Sequence, residues 1–279
     1  MPADDVNRAA AIAAAQAVAR EHGVACDDAV RLAGGSNVLV HLAPVPVVAR
    51  VMTGTAVLHD DVEQWLAREV AVGVFLAERA AHAVPPTDRL PPGPHERNGL
   101  WMTLWQYVPH DDQAPPPEPR ELGRSLRDLH AALAGFTGDL APVSEIRDWL
   151  ARLIDALRPS PGLDVAGLRS GLERLTPAVF ESGLPVQALH GDVSIGNLLR
   201  TDGGLLWTDF EDVCAGPVAW DVAGLVASAR VRGHGAAFTD ELLAGYGEPA
   251  AEGLEPFLEA HALYDVVWRA FAATRASRA

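Results

Sequence analysis

The stretch Leu189-His190-Gly191-Asp192-Val193-Ser194-Ile195-Gly196-Asn197-Leu198-Leu199, with Asp209-Phe210-Glu211 downstream, decides the reading of this chain. Asp192 follows a hydrophobic run and so stands on a loop leaving a strand. Asn197 comes five positions later, and Asp209 closes the next hydrophobic run twelve residues after that. Between them, Asn197 to Arg200 and Leu205 to Thr208 read as two short strands around Gly203-Gly204. Such a hairpin is expected to bring Asn197 and Asp209 close. An Asp carboxylate and an Asn carbonyl are hard oxygen donors, suited to Mg²⁺ with bound phosphates. Asp192 is then left to orient or deprotonate a hydroxyl. Base, metal ligands and a phosphate clamp are the parts of a phosphoryl-transfer site. Asp192 and Asn197 alone would also suit an ordinary turn. With His190, Gly191, Asp209 and Phe210 in register, the turn reading loses its weight.

Working outward, the β-branched runs at 30–51, split by Gly and Pro, predict three short antiparallel strands. Residues 60–80 carry Val62, Trp65, Leu66, Val70, Val74 and Phe75 at helical spacing, with Glu69 at the edge of that apolar face. A carboxylate there wants a partner, and Arg50 lies upstream. Residues 84–98 read as a loop and Leu100 to Val108 as a strand. The Pro-rich run after Val108 marks a lobe boundary. Beyond it helices are expected near 118–135, 144–158, 164–182, 218–230, 237–246 and 251–275, preceded by an Ala-rich helix at 5–22.

The His190-Gly191-Asp192…Asn197 run has the spacing of the protein-kinase signature, with Gly191 for its Arg and Glu211 for the Gly of Asp-Phe-Gly. Together with Gly216-Pro217 and Trp220-Asp221-Val222-Ala223, it resembles the aminoglycoside phosphotransferase / choline kinase-like family. The resemblance implies an α+β, bilobal protein-kinase-like fold. A small antiparallel-sheet lobe with one main helix would span 1–108, and a larger, mostly helical lobe 109–279. It also implies residue roles. Asp192 would be the catalytic base, and Asn197 and Asp209 would hold Mg²⁺. Gly34, Gly35, Ser36 and Asn37 would form the turn covering the nucleotide. Glu69 would pair with the phosphate-binding cation. Trp105, Gln106, Tyr107 and Val108 would form the hinge that reads the base.

Two positions depart from the protein-kinase form. Arg50 stands on the third strand where kinases often carry Lys; Arg is permanently charged and binds phosphate through two donors, so the clamp is chemically sound. Glu211 is either a charge for a metal or a cationic substrate, or a solvated loop charge or helix cap. Asp265 is a second candidate substrate carboxylate, beside Tyr264, Trp268 and Phe271, whose helical spacing favours core packing. Asp221 reads as a support for the catalytic loop.

Length and composition bound the rest. The 279 residues suffice for a large domain or two lobes, and 49% hydrophobic content argues against disorder. All 22 basic residues are Arg, so a lysine Schiff base and a P-loop are excluded. A net charge of −15 without a basic tract disfavours nucleic acid. Two distant cysteines make neither a disulfide framework nor a zinc site. No signal-like or membrane-spanning run is read, so the expectation is a soluble cytoplasmic protein that meets no membrane.

The resemblance thus implies an ATP- or GTP-dependent, Mg²⁺-requiring O-phosphotransferase acting on a small acceptor. An aminoglycoside-like amino sugar comes first, and choline, ethanolamine, homoserine or a plain sugar follow. A nucleotide-binding pseudokinase is the rival from another class. A protein kinase is disfavoured, because almost nothing separates Phe210-Glu211 from Gly216-Pro217.

Overall fold

The computed structural model describes residues 3–32, 35, 37–56, 59–111, 113–157, 162–247 and 253–276. The chain forms two compact units. The first is Met1–Ala114 with Leu199–Glu211, the second Pro115–Leu198 with Asp212–Ala279. The Pro-rich run after Val108 predicts a boundary there; the first unit extends to Ala114, and a later segment returns to it.

The first unit opens with α1 (Ala3–Glu21), followed by β1 (Val30–Arg31), β2 (Val38–His41), β3 (Val47–Val51), α2 (Val62–Glu78), β4 (His95–Arg97) and β5 (Leu100–Gln106). The strands form one antiparallel sheet in the order β1-β2-β3-β5-β4. Period-two alternation gives this sheet two different faces. Val38, Val40, Val47, Ala49, Val51, Met102 and Leu104 point one way and bury against Ala11, Ala14, Ala15 and Val18 of α1. Arg50 and Thr103, register partners on β3 and β5, belong to the other face. β4 falls inside the expected loop: a three-residue polar edge strand carries no hydrophobic alternation to announce it.

Helix α2 begins where Asp61 accepts a hydrogen bond from Gln64 N, a side-chain N-cap. Its buried face includes Trp65, Leu66, Glu69, Val70 and Gly73. Gly73 lies against the Trp105 ring, where an added Cβ would come within 2.8 Å of a ring carbon. Glycine lets this helix approach β5 closely. Glu69 is fully buried rather than at the rim of the apolar face.

The second unit contains α3 (Pro119–Leu133), β6 (Ala141–Pro142), α4 (Ser144–Ala156), α5 (Val165–Val179), β7 (Gln187–Leu189) and a 3₁₀ turn at Ile195–Asn197. β8 (Leu198–Thr201) and β9 (Gly204–Trp207) follow as a hairpin, then β10 (Cys214–Gly216), α6 (Ala219–Val231), α7 (Ala236–Tyr246) and α8 (Glu255–Ala276). β10 pairs parallel with β6 and antiparallel with β7. Helix α6 is buried continuously from Trp220 to Val226, so it shows no polar face and acts as a central element. From Leu199 onward the hairpin belongs to the first unit. There Trp207 N donates to His82 O, Val84 N donates to Trp207 O, and Asp111 N donates to Arg200 O. No described helix is long and apolar enough to cross a membrane.

Candidate active site

In the second unit, β7 delivers the chain to His190 with Ala188 and Leu189 buried. The loop that follows is pinned through its backbone. His190 N and Gly191 N both donate to the Asp221 carboxylate, at 2.8 and 3.0 Å. Trp220 Nε1 donates to Gly191 O at 2.7 Å. Gly191 has φ +89°, and a Cβ there would run into the Asp212 carbonyl oxygen. Only glycine fits, which is why the Arg of the protein-kinase signature is absent from this position.

Asp221 is fully buried and is also bonded to His130 Nε2, at 3.0 Å. His130 Nδ1 lies 2.7 Å from the Tyr246 hydroxyl. Burial alone would raise the Asp221 pKa; the hydrogen bond and charge of His130, with His190, outweigh it and hold the carboxyl below its ordinary value. Burial and the nearby Asp221 push Tyr246 up to about 12, so it stays a phenol. Asp221 therefore supports the loop, as its sequence context indicated.

Asp192 comes next, half-buried. Asn197 Nδ2 donates to Asp192 O at 2.9 Å and reaches its Oδ2 at 3.3 Å. Asp192 lines a cavity of about 190 Å³ together with Ser194, Trp220, Arg232, His261 and Asp265. Asp265 thus shares a cavity with Asp192. Tyr264 lines it too, so it is not simply core, while Trp149 packs against both Tyr264 and Trp268 in a half-buried aromatic cluster. Spacing alone could not separate a helix face turned to the core from one turned to a cavity.

In the first unit, Arg50 is 5% exposed and surrounded by carboxylates. It forms ion pairs with Glu69 and with Glu211, and Nη1 lies 3.1 Å from Asp209 Oδ1. Burial opposes the guanidinium charge, but Glu69, Glu211 and Asp209 together raise the Arg50 pKa above its ordinary value. Thr103 Oγ1 donates to Glu69 at 3.1 Å and accepts Trp105 Nε1 at 2.9 Å. Burial pushes the Glu69 carboxyl up against the pull of Arg50. Glu211 rises to about 8, through burial first and then Asp209 and Glu69. It is neither a solvated charge nor an open substrate carboxylate: Arg50, Asn37 and Thr55 surround it.

Asn37 spends its whole amide inside the protein. Its Oδ1 accepts from Thr53 N, Gly54 N and Thr55 Oγ1, and its Nδ2 donates to Glu211 at 2.9 Å. Its geometry ties the turn after β3 to Glu211. Gly35 is exposed with open space around it, and Gly34 and Ser36 lie outside the described residues. In the expected hinge, Gln106 N donates to Pro85 O and Tyr107 N to Pro46 O, Val108 O accepts from His110, and Tyr107 stacks on His41. Any base reading falls to the backbone groups that remain. Thr55 and Thr103 are residues of the Arg50 cluster that the sequence does not announce, as His130 and Tyr246 are beside Asp221. Thr103's slot opposite Arg50 on alternating strands was the available signal.

Asp209 has φ +68°, and its Oδ1 is buried without a hydrogen-bond donor, facing Arg50 only as an ion pair. The Asp209 side chain is 36% exposed, so its second carboxylate oxygen, Oδ2, is the hard donor left for a cation. That donor chemistry fits Mg²⁺. Among the described residues no group of three or more His, Cys, Asp or Glu is arranged to hold a metal by itself.

A sheet unit holding a buried Arg–Glu pair and a helical unit presenting an aspartate on a pinned loop define a protein of the kinase-like fold. The chain belongs to the phosphotransferase enzyme family, whose pattern matches residues 32–257. It is 30% identical over 125 residues to a glucosamine kinase from Streptacidiphilus jiangxiensis, an alignment covering 39% of this chain and 28% of that enzyme. Among solved structures, a choline/ethanolamine kinase family protein from Mesorhizobium loti superposes with TM-score 0.64 at 18% identity, covering 100% of this chain and 87% of the other. An amicoumacin kinase in complex with AMP-PNP, Ca²⁺ and Ami gives TM-score 0.66 at 13% identity, covering 93% of each chain.

Proposed function

We propose that the protein transfers the γ-phosphoryl group of ATP or GTP to a hydroxyl of a small, amine-bearing acceptor, with an amino sugar favoured. The observation that carries this reading is Asp192, held on a loop by Asp221 and opening onto a cavity. The cavity, about 190 Å³, is large enough to admit a small acceptor beside Asp192. The partial match to a glucosamine kinase supports the same class.

The roles follow from the chemistry of each group. Asp192 accepts the proton of the acceptor hydroxyl while its oxygen bonds to the γ-phosphorus and the bond to the β-phosphate oxygen breaks, releasing the nucleoside diphosphate. Asn197 Oδ1 is available for a cation, since its amide nitrogen is what bonds Asp192. Asn197 and Asp209 would hold Mg²⁺, which neutralises phosphate charge when bound. Arg50 would clamp the remaining phosphates, held in place by Glu69, which Thr103 in turn steadies. Catalysis is then positioning and electrostatics.

A coupled turnover assay with ATP or GTP, Mg²⁺ and a panel of amino sugars, amino alcohols and sugars tests the reading. Acceptor-dependent turnover is expected. Nucleotide binding without turnover on any acceptor would favour the pseudokinase instead.

A further inference from the structure

His261 stands on α8 in the wall of the cavity that holds Asp192. Its ring lies 4.3 Å from the Trp220 ring, and Nε2 is 2.9 Å from Trp220 O. A carbonyl only accepts, so Nε2 carries the proton. Burial holds the imidazole below its ordinary pKa, against the backbone bond to Trp220 and the charges of Asp221 and Asp265. The ring is therefore neutral near pH 7, and Nδ1 presents a lone pair. Among the described residues no hydrogen bond to Nδ1 is formed, and His261 lines the cavity. Gly224 lies close behind the ring: a Cβ there would come within 3.1 Å of His261 Cε1.

One turn further along the helix, Asp265 lines the same cavity, an i, i+4 neighbour on the same face. Its Oδ2 accepts from Arg269 at 2.9 Å, leaving Oδ1. Arg232, just past the end of α6, lines the same cavity, bonds the Ser228 hydroxyl at 3.0 Å and offers further donors. The cavity is polarised, with acceptors on α8 and donors at the end of α6.

We propose that His261 is a specificity-determining residue: its Nδ1, with Asp265 beside it, receives the ammonium of the acceptor, and the acceptor's oxygens turn toward Arg232. This rests on the kinase reading and deepens it. A neutral imidazole and a carboxylate together favour an amine over the hydroxyl of an otherwise identical acceptor, because a hydroxyl brings no charge to Asp265.

The test compares wild type with His261→Gln on matched acceptors: D-glucosamine against D-glucose, and 1-aminopropan-2-ol against propane-1,2-diol. Glutamine supplies an N–H for Trp220 O, and its one acceptor, Oε1, does not occupy the Nδ1 position. The expected result is an amine KM raised about tenfold, the scale of one hydrogen bond to a charged group, with the KM for ATP and the melting temperature unchanged. The preference for the amine member of each pair shrinks accordingly. An unchanged amine KM overturns the proposal, as does an equal rise in acceptor and ATP KM with a lowered melting temperature, the mark of a mere brace for Trp220. Should the variant not fold, ¹⁵N-imidazole NMR of the wild type decides. A glucosamine-induced shift of the His261 Nδ1 resonance supports the subsite, and no shift at saturating glucosamine overturns it. Wild-type turnover untouched by His261→Gln leaves the kinase reading standing. No turnover of any acceptor by wild type sinks both.

Discussion

Gly191 and Asp221 fix the Asp192 loop from two sides, one by what it lacks and the other by what it accepts. Asp221→Ala leaves two buried N–H groups and His130 without their carboxylate, and each unsatisfied group costs about 1–3 kcal/mol. A melting temperature many degrees lower is expected, with turnover lost even where the variant still folds. Asp221→Asn keeps an acceptor and serves for pH work. The folded-state pKa of Asp221 lies below its ordinary value, so the unfolded chain binds the proton more readily. The stabilisation is complete above the ordinary carboxylate pKa, about 3.9, and fades as pH falls through the lower folded value. The stability gap between wild type and Asp221→Asn should therefore narrow below about pH 4. A gap that widens there on urea titration contradicts the role given to Asp221. Spacing made His190, Gly191, Asp192 and Asn197 legible in the sequence. His130 and Tyr246 were not, because His130 reaches Asp221 from α3 and Tyr246 reaches His130 from α7, both distant in sequence.

At the scale of the element, the two faces of the β3–β5 ladder explain how a buried cation is tolerated. Arg50, Thr103 and Trp105 form a polar chain ending on Glu69, while Ala49, Met102 and Leu104 alternate into the apolar core. Breaking such a buried pair from one side costs about 3–5 kcal/mol. Glu69→Ala is expected to lose that much by denaturant unfolding and to weaken nucleotide binding. Stability within 0.5 kcal/mol of wild type (roughly the range of a neutral surface change) would remove Glu69 from the network. Thr103→Val keeps shape and strands the Trp105 N–H, so about 1–3 kcal/mol should go. The strands of 30–51 and helix α2 were legible because hydrophobic periodicity announces them. β4, β6 and β10 were not, being two or three residues long and defined by their partners. Glu69's partner was foreseeable from Arg50 upstream. Glu211's was not, since 161 residues separate it from Arg50.

Over the whole molecule, the first unit is discontinuous in sequence. Leu199–Glu211 supplies it with the fully buried Trp207 and with Glu211 on Arg50. Residues 1–114 alone lack both, and leave a buried cation with two carboxylates fewer, Asp209 and Glu211, and an apolar slot open. That fragment is expected to show no cooperative thermal transition by circular dichroism. A sharp transition would mean that the hairpin is an accessory. The resemblance made the pair of units legible in the sequence, but no linear reading reveals that a strand hairpin beyond residue 198 packs with residues before 115.

The central claim is that Asp192 takes the acceptor proton in a phosphoryl transfer. Asp192→Asn preserves shape and the Asn197 contact to its carbonyl but cannot accept that proton. The most direct measurement is acceptor-dependent nucleoside diphosphate release by wild type and Asp192→Asn, with nucleotide affinity measured in parallel. The account predicts turnover lowered at least 100-fold, within the range of about 10²–10⁴ for a positioned base, with nucleotide affinity within about twofold. Near wild-type turnover in Asp192→Asn would contradict it.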